Sequence, residues 1–219
     1  MRSSMATISA VALLLGASAA QAVVETWSDD GDTQGWYAFA GGVTVAQDPL
    51  QDNLRWEGAG FLMDVLVADS GASGGAFVGD LAAVGAQAFE LDLFVDNVSQ
   101  LYFIGLDLLN TTTQDEWRYF LQPISAGQWQ HWEVPLTDGS IWQQAGGTND
   151  FAWMLQNVDI VGLIVAEGFL TGGGASGRVD NFELVVPEPA ALATLCGAAA
   201  ALLGRGGRRR RGKGPRTHA

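Results

Sequence analysis

The chain has 219 residues, 24 acidic and 11 basic, for a formal charge of −13. The charge is divided: residues 23–186 hold 23 of the acids against Arg55, Arg118 and Arg178, whereas everything from Pro187 onward holds one acid and seven cations. So acidic a body repels nucleic acid and anionic headgroups, which excludes nucleic acid as its partner, and a lone cysteine, Cys196, excludes an intrachain disulfide.

The chain opens on an export pattern. Arg2 supplies a positive start, Ile8 to Leu15 an apolar run, and Ala20-Gln21-Ala22 an A-x-A cleavage site. Residues 1–22 therefore read as a signal helix that a signal peptidase removes, leaving Val23 first and the domain outside the cytoplasm.

From Val23 to Val186 strand patterns dominate. "VETWS", "GWYAFA", "GVTVAQ", "NLRWE" and "GFLMDVLVA" come first. In "AFELDLFVD" Phe89, Leu91, Leu93 and Val95 alternate with Glu90, Asp92 and Asp96, a period of two interrupted by Phe94. "QLYFIGLDLL" puts Tyr102, Ile104, Leu106 and Leu108 on one face, and "EWRYFLQ", "QWQHWEVPL", "VDIVGLIVA" and "RVDNFELVV" follow. "SIWQQ" and "DFAWMLQN" read as short helical turns. Many short strands between Gly-, Asp- and Asn-rich turns predict an all-β domain, an antiparallel β-sandwich or barrel.

After the domain, Pro187 and Pro189 stop any strand or helix running into the tail. Ala190 to Leu203 is uncharged and makes a single short transmembrane helix, about 21 Å at 1.5 Å per residue against a hydrocarbon core of about 30 Å. Arg205 and Arg208 to Arg211 keep its far end cytoplasmic. Such a span suits a temporary stop better than a permanent anchor. The basic tail 212–219 is expected to be disordered.

Val186-Pro187-Glu188-Pro189, the apolar helix of residues 190–204 and the cluster Arg208, Arg209, Arg210 and Arg211 resemble, in that order, the PEP-CTERM sorting signal of Gram-negative bacteria. The resemblance implies that segment 187–211 is recognised and cut by exosortase, an integral membrane protease. Pro187, Glu188 and Pro189 would then be recognition residues. The protein would be held briefly in the inner membrane and then reach the cell surface or the medium.

The domain itself resembles the jelly-roll, galactose-binding-like sandwiches of carbohydrate-binding modules. "ETWSDDGDTQGW" looks like their first strand and loop, "GQWQHWEVPL" a mid-domain strand, and "NVDIVGLIVAEG" with "GRVDNFELV" the last two strands. The resemblance implies a structural calcium where first and last strands lie side by side, at Glu25 and Asp180 with Asp30 or Asp32. A hard cation of this kind prefers several oxygen ligands.

Enzymatic chemistry finds few residues. His131 is the domain's only histidine and sits in an alternating strand, without the partners that catalysis or zinc requires. Glu90 and Asp92 share a strand face, as glycosidase carboxylates do. The laminarinase-like continuation to a second Glu is replaced by Phe94 and Val95. "GGGASG" at 172–177 precedes a strand rather than a helix, so it reads as a hairpin loop and not a dinucleotide site.

Eight tryptophans supply aromatic surface; indoles stack on sugar rings. Trp129 and Trp132 point to opposite faces of one strand. Tyr102, Trp117 and Trp132 are the expected ligand surface. The expectation is a secreted, non-enzymatic protein that associates with extracellular polysaccharide. A glycan-active hydrolase and a purely structural surface component are the competing classes.

Overall fold

The structure, a computed structural model, describes residues 23–187 apart from 30, 40–42, 60–62, 99–100 and 168–173. The signal peptide with Ala20 and Ala22, and the tail with Glu188, Pro189, the 190–204 helix and Arg208 to Arg211, lie outside the described residues. Among those described, no helix is long and apolar enough to cross a membrane.

Among the described residues eleven strands run in chain order: β1 (Val23–Glu25), β2 (Thr44–Asp48), β3 (Asn53–Ala59), β4 (Met63–Ala68), β5 (Ala88–Val95), β6 (Leu101–Asn110), β7 (Asp115–Phe120), β8 (Trp129–Pro135), β9 (Gln143–Gly146), β10 (Ile160–Glu167) and β11 (Ala175–Val185). One short helix, α1 (Phe151–Gln156), lies between β9 and β10. The strands form two antiparallel sheets, a β-sandwich as expected. Sheet one has the order β2-β3-β11-β5-β8, and sheet two the order β4-β10-β6-β7-β9.

β11 is the longest strand and organises sheet one. β5 pairs along one edge; β3 takes the first half of the other edge and β1 the second. The β5 pairing shifts between Asp180 and Glu183, where Asn181 adopts φ 48°. Asparagine tolerates that left-handed region better than most residues, and its side-chain amide donates to Asp92 Oδ2 at 2.8 Å.

The period-two reading of β5 holds: Phe89, Leu91, Leu93 and Val95 are buried. Phe94, which interrupts the pattern, lies on the outer face. There the Arg178 guanidinium lies 4.9 Å from its ring centre and the Trp129 ring 5.5 Å away. Ile104, Leu106 and Leu108 enter the core, whereas Tyr102 lies beyond the core's edge and is 79% exposed. At one end of the core Trp36 packs edge-on against Trp27, Phe77 and Phe182, with ring centres 5.0–5.8 Å apart. Such contacts add about 0.5–1.5 kcal/mol each beyond burial. β10 is central in sheet two and buries Ile160, Ile164 and Ala166 as well as Val161, Leu163 and Val165. That explains its continuous apolar run.

Three local expectations are corrected. Gly35 to Phe39 of "GWYAFA" form no strand; Tyr37 alone of these bridges, to Val67. "SIWQQ" makes a single 3-10 turn at Gly139–Ile141 and then enters β9, a strand lacking apolar alternation because its side chains are largely exposed. "DFAWMLQN" does form α1, with Asp150 accepting a bond from the Trp153 amide at 2.8 Å. Ala175 to Gly177 belong to β11 and not to a loop. A Cβ at Gly177 would stand 2.6 Å from both the Phe94 carbonyl oxygen and the Trp56 ring, so this glycine serves close packing.

Candidate functional site

Tyr37 joins the edge of sheet two by pairing with Val67: each amide donates to the other's carbonyl, at 3.2 and 2.9 Å. Trp36 fixes this segment from beneath. Its ring is buried and its Nε1 donates to Ser73 Oγ at 3.0 Å. With Trp36 inside, Tyr37 and Phe39 project outward and are 36% and 58% exposed. The Tyr37 hydroxyl donates to Asp69 Oδ2 at 3.2 Å, and the Gly71 amide donates to Asp69 Oδ1 at 2.7 Å. Burial, and then the charge of Asp69, raise the Tyr37 pKa, so its phenol stays protonated and donates.

The opposite wall comes from the start of β10 and the end of β6. Val158 bridges Gly79 through two backbone bonds of 2.7 and 3.1 Å. Asp159 Oδ2 accepts from the Thr111 amide and hydroxyl, both at 2.8 Å. Between these walls lies a cleft of about 630 Å³, lined by Tyr37, Phe39, Asp69, Ser70, Thr111, Thr112 and Asp159 among others. Its volume lies in the range of small-ligand sites. Two exposed aromatic rings offer stacking area, and two carboxylates held by short loops offer fixed acceptors.

A smaller groove of about 290 Å³ runs along Val98, Leu101, Tyr102, Phe103, Gln122 and Pro123. Among the described residues it is lined by no carboxylate.

The outer face of sheet one carries a third group. Cross-strand pairing sets Arg178, Phe94 and Trp129 in one row, Asp180, Asp92 and His131 in the next, and Glu183, Glu90 and Glu133 in a third. His131 Nδ1 is 2.9 Å from Asp92 Oδ1, and its Nε2 is 3.7 Å from Glu90. Glu90 and Asp92 share this face as read from the sequence, but neither cleft described above includes them.

The expected ligand trio is divided. Tyr102 is exposed and lines the smaller groove, whereas Trp117 and Trp132 pack against the core, Trp117 with its ring 5.4 Å from Phe151. Of the β8 pair, Trp129 is the outward one, 42% exposed. The reason is register: Trp132 faces core residue Leu91, and Trp129 faces outer residue Phe94.

The expected calcium ligands are likewise separated. Glu25 pairs with core-facing Phe182, while Asp180 pairs with outer-face Asp92, so the two carboxylates belong to opposite faces of sheet one. Burial is the main cause raising the Glu25 pKa; a hydrogen bond from Ser73 opposes it and the charge of Asp32 adds to it. Burial also leads in raising that of Asp180, with the Asn181 amide opposing and Asp92 and Asp52 adding. Among the described residues no group of three His, Cys, Asp or Glu side chains could hold a metal ion, and Asp30 lies outside them.

Tyr37, Phe39, Asp69 and Asp159 were not identified from sequence. The alternation in "GWYAFA" does place Tyr37 and Phe39 opposite Trp36. Nothing local reveals that Asp69 and Asp159, 90 positions apart in sequence, line one cleft.

No protein-family model matches the chain, and no curated protein matches it in sequence. Solved structures match it by fold. An agarase superposes with a TM-score of 0.54 at 11% identity, covering 76% of this chain and 24% of that one. An exo-beta-agarase gives 0.51 at 9%, covering 76% and 25%. The family 11 carbohydrate-binding module from Clostridium thermocellum, in complex with a beta-1,3-1,4-mixed-linked tetrasaccharide, gives 0.46 at 16%, covering 75% and 96%. The chain spans about a quarter of the length of the agarase chains it matches.

Proposed function

We propose that the protein is an exported, non-enzymatic jelly-roll sandwich that binds extracellular polysaccharide through the Tyr37–Phe39 cleft. The observation that carries this reading is the cleft itself, lined by exposed aromatic rings and by carboxylates already oriented by Tyr37, Gly71 and Thr111. Pyranose rings need both elements, an apolar face to stack on and acceptors for their hydroxyls. The two agarases sharing the fold make a glycan the first ligand to try.

Delivery rests on the two ends. The pattern of residues 1–22 supports export, and the order of Pro187-Glu188-Pro189, apolar run and Arg208 to Arg211 supports exosortase sorting to the cell surface or medium. Structural calcium stays a proposal at Glu25 with Asp30 or Asp32, without Asp180, which the pairing assigns to the other face.

A glycan array probed with and without chelator tests the function. Binding that Phe39→Ala weakens about tenfold supports the cleft; a loss of about 1.4 kcal/mol corresponds to that factor. Absence of binding under both conditions favours the purely structural reading. Mass spectrometry of protein recovered from culture tests the delivery: termini at Val23 and near Pro187 support it, and an intact arginine block in the released form refutes it.

A further inference from the structure

We infer that the Tyr37–Phe39 cleft selects glycans bearing free amino sugars over uronic-acid or sulfated chains, an inference that rests on the glycan-binding reading above. Among the described residues two charged side chains line the cleft, Asp69 and Asp159, and no cation does. Each is held by hydrogen bonds, Asp69 from Gly71 and Tyr37, Asp159 from Thr111. An ionised carboxylate offers about four acceptor sites. The bonds named occupy two at each residue and leave acceptor capacity at both.

Neutral hydroxyls can use those sites, but an ammonium group adds a direct charge–charge attraction to its hydrogen bond. An anionic sugar meets the reverse: repulsion from both aspartates, with no cation among the described lining residues to offset it. The described residues contain three cations, and each is held elsewhere. Arg55 pairs with Glu57, Arg118 with Asp107 and Glu116, and Arg178 with Asp96. The surrounding domain, with 23 acids against three cations over residues 23–186, adds a field of the same sign. Tyr37 and Phe39 supply the stacking surface that makes the preferred ion a sugar rather than a simple amine.

The test is calorimetry on the full-length chain with four oligosaccharides of equal length: a free-amine glucosamine oligomer, its N-acetylated form, a neutral hexose oligomer and a uronic-acid oligomer. Binding through the cleft is the part that Phe39→Ala removes, which separates it from any attraction of the C-terminal arginines for anions. The free-amine oligomer is expected to bind about tenfold tighter than the N-acetylated one at about 0.01 M salt. The advantage should shrink to about twofold at about 1 M salt, where the screening length falls from about 30 Å to about 3 Å.

Asp159→Asn should narrow the same ratio; if that variant does not fold, the salt series on the unmodified chain decides. Equal affinity for amine and N-acetyl forms, or Phe39-dependent binding of the uronic-acid oligomer, overturns the inference and leaves the glycan reading standing. If none of the four oligomers shows Phe39-dependent binding, the glycan reading itself falls.

Discussion

The two grooves of the sandwich each expose an aromatic side chain, yet they are built differently. The smaller one presents Tyr102 beside Phe103, Leu101 and Pro123 and, among the described residues, is lined by no charged group. The larger presents Tyr37 and Phe39 beside Asp69 and Asp159, each already hydrogen-bonded to a segment distant in sequence, Asp69 to Tyr37 and Asp159 to Thr111. An exposed ring supplies area alone, and water-facing area binds many things weakly. Fixed acceptors next to the ring give direction, and direction is what distinguishes one sugar from another.

The contrast can be broken at its foundation. Trp36→Ala removes the buried ring on which the Tyr37 segment rests, and should cost about 3–5 kcal/mol of stability by chemical denaturation. If the cost is under about 1 kcal/mol, the aromatic cluster does not hold the cleft wall in place. Next in size is the comparison of rings. Phe39→Ala should weaken glycan binding about tenfold, whereas Tyr102→Ala should change it less than about twofold if the grooves act separately. The opposite ranking in a titration would move the site to the smaller groove.

A third carboxylate serves as the reference for Asp69 and Asp159. Asp115 is buried, and its four acceptor positions are filled by the fold: Oδ1 by the Thr148 and Asn149 amides at 2.7 and 2.9 Å, and Oδ2 by Thr113 and the Asn149 side chain at 2.5 and 2.6 Å. Hydrogen bonding, foremost from Thr113, lowers its pKa to about 2. Because the folded value lies below the unfolded one, its stabilisation is complete above about pH 4. It is lost as pH falls through about 2. Unfolding curves between pH 5 and 2, with bounds of about that width, should fall less steeply in Asp115→Asn; equal slopes would show that the clamp is not ionised. The smallest effect is expected for Tyr37→Phe, which deletes one half-exposed bond to Asp69. About 0.5 kcal/mol of binding, near the lower end for such bonds, should be lost, and an unchanged affinity would mean the hydroxyl orients nothing.

Much of the fold was legible because period-two alternation is a local record of which side faces the core. β5, β6, β8 and β11 were placed from it to within a few residues. β9 was not, since its exposed side chains carry no alternation, and the glycines of "GGGASG" look alike whether they bend a loop or, like Gly177, admit a tryptophan beside the strand. The site was less legible than the fold. Parity identified Trp129 and Trp132 as opposites, but which of them is inside follows from pairing with β5.

Sequence by itself determined the antiparallel β class and the acidic character of the domain, because composition and short-range periodicity suffice for each. Tertiary structure alone decided that Trp117 and Trp132 pack inward, that Glu25 and Asp180 lie on opposite faces, and that Asp69 and Asp159 line one cleft with Tyr37 and Phe39. The physical reason is that cross-strand register and sheet order join residues far apart in the chain, and neither is encoded in the local pattern that identifies a strand.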